Sequence, residues 1–227
     1  MGVEQDVKGG AAIAQPWQGG DDFPLGIAIH TASAELGLAK AIGADCTHQS
    51  WALGRDLSSD LQDYLRQFMA PHPWGSLAFV ATAIGPGGFT GTRMGVVAAK
   101  TLAQQLEIPI FGVCSLAAGV WQRRDRFSVG DWIAVTLPAR RGEIHGAVYE
   151  LGTNGLVCRR SPVVIMPDPW QQELAQLEHP WVTCELPFEM GGDAEGLLAI
   201  AGWQWLQGDR PHWSEVLPYY GQHPVHR

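Results

Sequence analysis

The run Gly85-Pro86-Gly87-Gly88 separates two segments with different apolar patterns. Residues 76–84 form a short apolar segment, as in a buried strand. In residues 90–106 the apolar residues recur at the spacing of a helix. A helix that begins at such a turn offers unpaired N–H groups and the positive end of its dipole, which suit an anion. The sequence therefore predicts a strand–turn–helix unit of an α/β fold. Its candidate contacts for a nucleotide or another anion are Gly87, Gly88, Thr90 and Arg93.

This turn does not match the common phosphate-binding motifs. The lysine of GxxxxGK[ST] is missing, and no GxGxxG register fits the stretch. Arg93 is the nearest cationic side chain in the sequence. A tight structural turn without any ligand is therefore the alternative to an anion site.

The helix predicted after the turn carries a stripe of small residues, Gly91, Gly95 and Ala98, which continues to Leu102. Each glycine inside a helix costs about 1 kcal/mol relative to alanine, so a compensating gain is expected. Small residues at this spacing let another backbone come close. Burial within the same chain and contact with a partner subunit both fit the pattern.

The order of the predicted elements indicates a two-lobed α/β protein. Strands are predicted at residues 25–31, 35–42, 46–51, 76–84, 110–113, 132–137, 144–151 and 156–165. Helices are predicted at residues 58–69, 90–106, 115–121, 168–177 and 195–207. We expect an extension at residues 1–22, a first lobe at 23–118 and a second lobe at 119–227, whose end returns to the first. Residues 211–227 have no assignable pattern.

Composition and residue spacing narrow the classes of function. The chain has 15 Lys and Arg against 23 Asp and Glu, a formal charge of -8, which repels a phosphate backbone at long range. The four cysteines form no CxxC pair, the eight histidines form no HxxxH or HExxH motif, and GxSxG is absent. We therefore predict no catalytic residue and no metal site. No apolar run is long enough to span a bilayer and no signal peptide is seen, so we expect a cytoplasmic protein away from membranes.

Three short basic runs stand out against the acidic total. They are Arg123-Arg124 with Arg126, Arg140-Arg141, and Arg159-Arg160. Solvated surface is the simplest interpretation of each run, and a contact with tRNA at one of them is the alternative.

Several stretches resemble the TsaB (YeaZ) family, densely over residues 25–150 and thinly beyond. The longest continuous one runs from Ile84 through the glycine turn to Gly95 and continues at Ala98-Ala99-Lys100. The others are Leu25-Gly26-Ile27-Ala28-Ile29-His30-Thr31, Glu35-Leu36-Gly37-Leu38-Ala39, Gly112-Val113-Cys114-Ser115-Leu116, Ala139-Arg140-Arg141-Gly142-Glu143-Ile144 and, loosely, Pro218-Tyr219-Tyr220.

The resemblance implies a two-lobed, actin-like fold of the ASKHA, ribonuclease H-like type. It implies a dimerisation and support subunit, not an enzyme on its own, that acts with the transferase TsaD in the threonylcarbamoyladenosine modification of tRNA next to the anticodon. TsaE would join the complex, TsaC would supply the carbamoyl-adenylate, and tRNA would be contacted indirectly. The free chain would hold no cofactor, ATP or ADP would sit at the interface with TsaD, and the chain alone would form a homodimer.

The resemblance also implies an interface on the helices at residues 58–69 and 90–106. The residues expected there are Leu61, Leu65, Phe68, Gly91, Met94, Gly95, Ala98 and Leu102. One position departs from the family, which often has Asp where this chain has His30. An acid there helps actin-like kinases organise metal and phosphate, and histidine is a poor ligand for magnesium.

Two enzyme classes remain as alternatives. An actin-like ATPase or small-molecule kinase would use the turn at residues 85–91 for phosphate, and it would bind nucleotide as a free chain. A glycoprotease-like peptidase would need a metal or nucleophile constellation, which the sequence lacks.

Overall fold

The computed structural model describes residues 20–153 and 155–219, which form two β-sheets with helices around them. The first sheet contains β1 (Gly26–His30), β2 (Glu35–Ile42), β3 (Asp45–Ala52), β4 (Phe79–Gly85) and β5 (Ile110–Cys114). The second contains β6 (Trp132–Pro138), β7 (Ile144–Leu151), β8 (Leu156–Ile165) and β9 (Trp181–Glu185). The helices are α1 (Leu57–Met69), α2 (Phe89–Leu106), α3 (Ser115–Gln122), α4 (Pro167–Ala175) and α5 (Ala194–Leu206).

The two sheets share one connection pattern. Their strand orders are β3-β2-β1-β4-β5 and β8-β7-β6-β9. In each sheet an antiparallel meander of three strands is followed by a helix and by a strand that returns parallel to the first strand of the meander. The first sheet adds β5, parallel to β4. This duplicated arrangement is the two-lobed, actin-like α/β fold that the sequence predicted.

Strand β1 lies at the centre of the first sheet and is buried on both faces. Ile27 and Ile29 belong to the cluster under α1 and α2, and Ala28 belongs to the cluster on the opposite face. Successive strand residues point to opposite faces, so a strand covered on both sides must be apolar throughout. His30, at its end, is the exception, and it is also fully buried.

Helix α5 follows the second sheet in the chain but packs against the first. It contacts β1, β2, β4 and β5, and it lies beside α3. Gly196 permits the close approach to α3, because a Cβ there would overlap the carbonyl of Ala118. The lobes therefore share one core, and the predicted division after residue 118 falls within α3.

Residues 211–219, which the sequence left unassigned, return to the first sheet. The Ile110 N–H donates to the Pro211 carbonyl at 3.2 Å, and the Tyr219 N–H donates to the Ile84 carbonyl at 2.7 Å. Lys100 Nζ donates to the Val216 carbonyl between them at 3.1 Å. These partners are far apart in sequence, so no local pattern predicts the contacts.

Most predicted elements are confirmed, and β2 and β8 have the predicted bounds. Strand β9 was missed. The predicted extension at residues 1–22 lies mostly outside the described residues, as does the tail after Tyr219. None of the described helices is both long and apolar enough to cross a membrane.

Candidate functional site

The glycine turn and the start of α2 pack against the loop after β1 of the same chain. The Gly88 N–H donates to the Ala32 carbonyl at 2.6 Å, and Thr31 Oγ1 donates to the Gly91 carbonyl at 2.8 Å. A Cβ at Gly87 would overlap the Ala32 carbonyl, and a Cβ at Gly91 would overlap that of Thr31. These glycines therefore allow α2 to sit directly on the β1–β2 loop.

Gly95 makes the same kind of contact one turn further along α2. It is buried, and a Cβ there would overlap Thr31 Oγ1. The close approach expected from the glycine stripe is thus an intrachain one. The missing side chains of Gly91 and Gly95 make room for Thr31, while their assignment to a partner interface stays a prediction.

Other predicted interface residues also pack inside the chain. Leu61, Leu65 and Ala98 are buried in the cluster between α1, α2 and the first sheet, and so their side chains cannot form a surface contact. Met94 and Leu102 are half-buried against the same cluster. The interface on the two helices stays a prediction, and among the expected residues Met94 and Leu102 are partly accessible to a partner.

Phe68, also predicted at the interface, is half-buried at the end of α1. Its ring meets Trp51 edge-on, with centroids 6.3 Å apart, and the ammonium of Lys40 lies 5.2 Å from its centroid. Lys40 Nζ also donates to the carbonyls of Phe68 and Ala70, at 2.7 and 3.1 Å, which fixes the end of the helix. The contacts of Phe68 therefore stabilise the end of α1.

The exposed face of α2 carries two large apolar side chains that the sequence reasoning did not select. Phe89 is 55% exposed and Val97 is 62% exposed. Arg93 stands between them at helical spacing, with its guanidinium 5.1 Å from the Phe89 ring centroid. We call Phe89, Arg93 and Val97 the α2 outer face. The sequence did carry a signal for this face, because Phe89 and Val97 lie eight positions apart on the side of α2 opposite the glycines.

The predicted anion contacts do cluster at the start of α2, but part of their hydrogen-bonding capacity is used. The Gly88 N–H is donated to Ala32, and the Gly88 carbonyl accepts both the N–H and Oγ1 of Thr92, each at 2.9 Å. Gly87 is held against the same loop, while Thr90 and Arg93 are exposed. An anion contact here stays a prediction, with fewer free donors than the sequence suggested.

His30 lies fully buried at the end of β1. Neither of its ring nitrogens has a hydrogen-bond partner among residues 20–153 and 155–219. Burial lowers the pKa of the His30 imidazole from 6.5 to about 4, so the ring is neutral near pH 7. Across the same part of the chain, no group of three or more His, Cys, Asp or Glu side chains could hold a metal ion.

The segment that leads into α5 lies directly beside β2. The Gly191 N–H donates to Glu35 Oε2 at 2.9 Å, and the Met190 N–H donates to Ser33 Oγ at 3.3 Å. A Cβ at Gly37 would overlap the Gly191 carbonyl, so β2 and this segment are in direct backbone contact. The chain's own backbone thus covers this part of β2.

A buried ion pair fixes the same segment to α3. Arg123 donates to Asp193 Oδ1 at 2.8 Å, and their side chains are 17% and 3% exposed. Burial raises the pKa of the Asp193 carboxyl, while the charge of Arg123 acts in the opposite direction. The pair is a structural link between the end of α3 and the start of α5.

A groove of about 600 Å³ lies between the end of α5, β5 and the C-terminal segment. Its cation, Arg210, stacks on Trp205 at 3.4 Å and donates to the carbonyls of Trp205 and Asp209 at 2.8 and 2.6 Å. Asp209 and Glu215 line the same groove. The groove is therefore poorly suited to an anionic ligand.

Comparison with known sequences gives matches over part of the chain. The family described as "TsaD: tRNA N6-adenosine threonylcarbamoyltransferase" matches residues 60–172. The "tRNA threonylcarbamoyladenosine biosynthesis protein TsaB" of Escherichia coli K12 is 34% identical over 103 residues, 44% of this chain and 43% of that protein. The protein of the same name from Bacillus subtilis 168 is 35% identical over 113 residues, 49% of this chain and 46% of its own length. The chain thus spans less than half the length of these relatives.

Comparison with solved structures covers most of the chain. "YeaZ from Pseudomonas aeruginosa" superposes with a TM-score of 0.72 at 22% identity, over 87% of this chain and 99% of that one. A Pseudomonas aeruginosa protein described as similar to peptidase YEAZ gives a TM-score of 0.71 at 21% identity, over 88% and 100%. At these identities the likeness shows a common fold.

Proposed function

Because this chain belongs to the TsaB/YeaZ family, we propose that it is a support subunit, without catalytic activity of its own, in the synthesis of threonylcarbamoyladenosine in tRNA. Its direct partner is the transferase TsaD. TsaE joins the assembly, TsaC supplies the carbamoyl-adenylate, and tRNA is held chiefly by the other subunits. ATP or ADP is bound between this chain and TsaD, not by the free chain, which forms a homodimer when alone.

The exposed α2 outer face is the observation that carries this proposal. Phe89 and Val97 are more than half exposed on one helix face, and apolar side chains grouped in this way mark surfaces that other proteins cover. Arg93 between them adds a charged group of the kind enriched in interfaces. The neighbouring face of α1 is polar, with Gln62 and Arg66 exposed. The partner therefore rests mainly on α2.

Three observations weigh against the kinase or ATPase alternative. The Gly88 N–H donates to the Ala32 carbonyl, a neutral His30 stands where an actin-like kinase needs an acid, and the segment 190–193 is hydrogen-bonded to the start of β2. Phosphate transfer in an actin-like fold needs free donors and an acidic metal ligand, so these observations support a role through binding.

Light scattering on a sizing column tests the proposal with one variant and one control. The chain is run alone and mixed with TsaD from its own organism. Val97→Asp places a charge at the most exposed apolar side chain of the α2 outer face, and Leu217→Asp places the same charge at an apolar side chain that is 66% exposed elsewhere. We expect a species at the combined mass for the wild type and Leu217→Asp, and its loss for Val97→Asp.

Two results would contradict the proposal at different levels. Normal pairing of Val97→Asp would move the interface away from α2. Absence of pairing for the wild type, even with TsaE and ATP added, would remove the support-subunit role itself.

A further inference from the structure

In two of the three basic runs, most of the guanidinium groups are engaged by other groups of the chain, although Arg126, the third member of the first run, is exposed. In the first run, Arg123 is paired with Asp193 at 2.8 Å, and Arg124 lies over the ring of Trp121, with the guanidinium 5.2 Å from the centroid. Arg124 also donates to the Trp121 carbonyl at 3.0 Å. These guanidinium groups are therefore engaged in holding α3 and the segment that follows it.

The run on β8 is engaged in the same way. Arg159 forms an ion pair with Glu150, and Arg160 forms one with Glu173 at 3.2 Å. Arg159 also lies 5.4 Å from the ring centroid of Trp132. Both side chains thus have acidic partners on the surface of the second lobe.

The run Arg140-Arg141 differs from the other two. It forms the turn between β6 and β7, and both side chains are exposed. Neither guanidinium has a hydrogen bond or an ion pair with any residue in the described ranges 20–153 and 155–219. The turn therefore presents two adjacent positive charges to a partner outside the chain.

The backbone of this turn favours a smaller residue than the one it carries. Arg141 has φ 60° and ψ 27°, in the left-handed region, and Gly142 follows with φ 76°. Glycine adopts this conformation without strain, whereas arginine does so rarely. Residues held in such conformations cluster at functional sites, so the side chain of Arg141 is a candidate for an external contact.

The chemistry of the turn fits phosphate. A guanidinium donates two parallel hydrogen bonds to a phosphate group, and two of them side by side match neighbouring phosphates of a nucleic-acid backbone. None of the large apolar side chains that are exposed in the described residues belongs to the turn, so it lacks the apolar anchor of a typical protein interface. The formal charge of -8 means that such a contact needs an RNA that is already held by another subunit.

We infer that Arg140 and Arg141 bind the phosphate backbone of tRNA in the assembly, a role that rests on the function proposed above. Each phosphate neutralised changes the slope of log affinity against log salt by about 0.7 to 0.9. Loss of both arginines is therefore expected to reduce the steepness of that slope by about 1.5, with weaker binding at low salt.

The test uses the complex of this chain with TsaD and a fluorescein-labelled, unmodified tRNA transcript. Anisotropy titrations at several NaCl concentrations give the slope for the wild type and for Arg140→Gln combined with Arg141→Gln. Arg159→Gln combined with Arg160→Gln is the matched control, because it removes the same charge from a run that is already paired. Arg141→Gly tests the fold, since glycine suits this backbone. This variant is expected to unfold at the wild-type temperature and to show about half of the slope reduction expected for the double variant.

A reduced slope for the Arg140 and Arg141 variants, with a wild-type slope for the control, supports the inference. Equal slopes for all variants overturn it, and so does an equal reduction in the control pair, which would reflect net charge only. Loss of TsaD binding by the Arg140 and Arg141 variants, before tRNA is added, also overturns it and assigns the turn to an acidic protein surface. Failure of the wild type to join TsaD is seen before any titration and removes the proposed function first.

Discussion

Thr31 Oγ1 donates a hydrogen bond to the carbonyl oxygen of Gly91 at 2.8 Å, which fixes the first turn of α2 to the end of β1 within one chain. Thr31 is fully buried, and its side chain fills the space left by the missing side chain of Gly95. The two glycines of the stripe are therefore explained by packing inside the monomer.

Replacing Gly95 by valine is expected to destabilise the isolated chain. The added side chain overlaps Thr31, and overpacking of this kind costs about 1–3 kcal/mol. Urea unfolding followed by circular dichroism measures the change in the free energy of unfolding. Gly75→Ala is the control, because a Cβ there meets no atom within 4 Å. If Gly95→Val were as stable as the wild type but no longer bound TsaD, the result would instead place Gly95 at the partner interface.

The buried His30 is expected to make stability depend on pH. Its pKa is about 4 in the folded chain against 6.5 as the ordinary value, so the unfolded chain binds the proton first as pH falls. The contribution of His30 to the free energy of unfolding is therefore fully present above pH 6.5. It is lost as pH falls from 6.5 to 4, by about 3 kcal/mol in total. His30→Leu should lose less stability than the wild type over this interval, by urea unfolding at both pH values. Parallel loss in the two proteins would refute the assignment to His30.

Asp193→Asn is expected to weaken the link between the end of α3 and the start of α5. It leaves the guanidinium of Arg123 with little exposure and no carboxylate partner, and breaking a buried pair costs about 3–5 kcal/mol. Asp63→Asn is the comparison, since Asp63 and Arg66 are 69% and 72% exposed and such pairs contribute about 0–1 kcal/mol. Thermal unfolding of both variants checks the difference. Similar midpoints would mean that the Arg123–Asp193 pair adds no more than a surface pair.

The free chain is expected to bind no ATP. The Gly88 amide donates to the Ala32 carbonyl, and the segment 190–193 is hydrogen-bonded to the start of β2. Isothermal titration calorimetry with ATP and magnesium should give only the heat of dilution. A measurable heat that disappears in Arg93→Gln would favour the ATPase or kinase alternative and the anion site at the start of α2.

The sequence was most informative where local patterns decide the structure. The apolar run of β1, the bounds of β2 and β8, and the start of α2 after the glycine turn follow from burial and helix spacing. Strand β9 has only five residues and pairs with β6 far back in the chain, so its own sequence carries little signal. The segment 211–219 was unassigned for a similar reason, because its partners are Ile110, Lys100 and Ile84.

The functional residues were harder to predict than the fold. The small residues of α2 indicate a close approach, but only coordinates identify its partner as Thr31. The exposure of Phe89 and Val97 depends on which side of α2 faces the sheet. Likewise, the sequence treats the three basic runs alike, and only the ion pairs of the folded chain single out Arg140 and Arg141.

The position of α5 has a consequence for synthesis on the ribosome. Residues 194–206 supply the cover for a face of the first sheet that includes Phe79 and Phe111, and Trp205 stacks on Phe79 with centroids 5.4 Å apart. The N-terminal half therefore leaves the ribosome with an apolar sheet surface that stays uncovered until most of the chain has been made. Nascent chains stalled before residue 194 are expected to be the most prone to aggregation and the most dependent on chaperones.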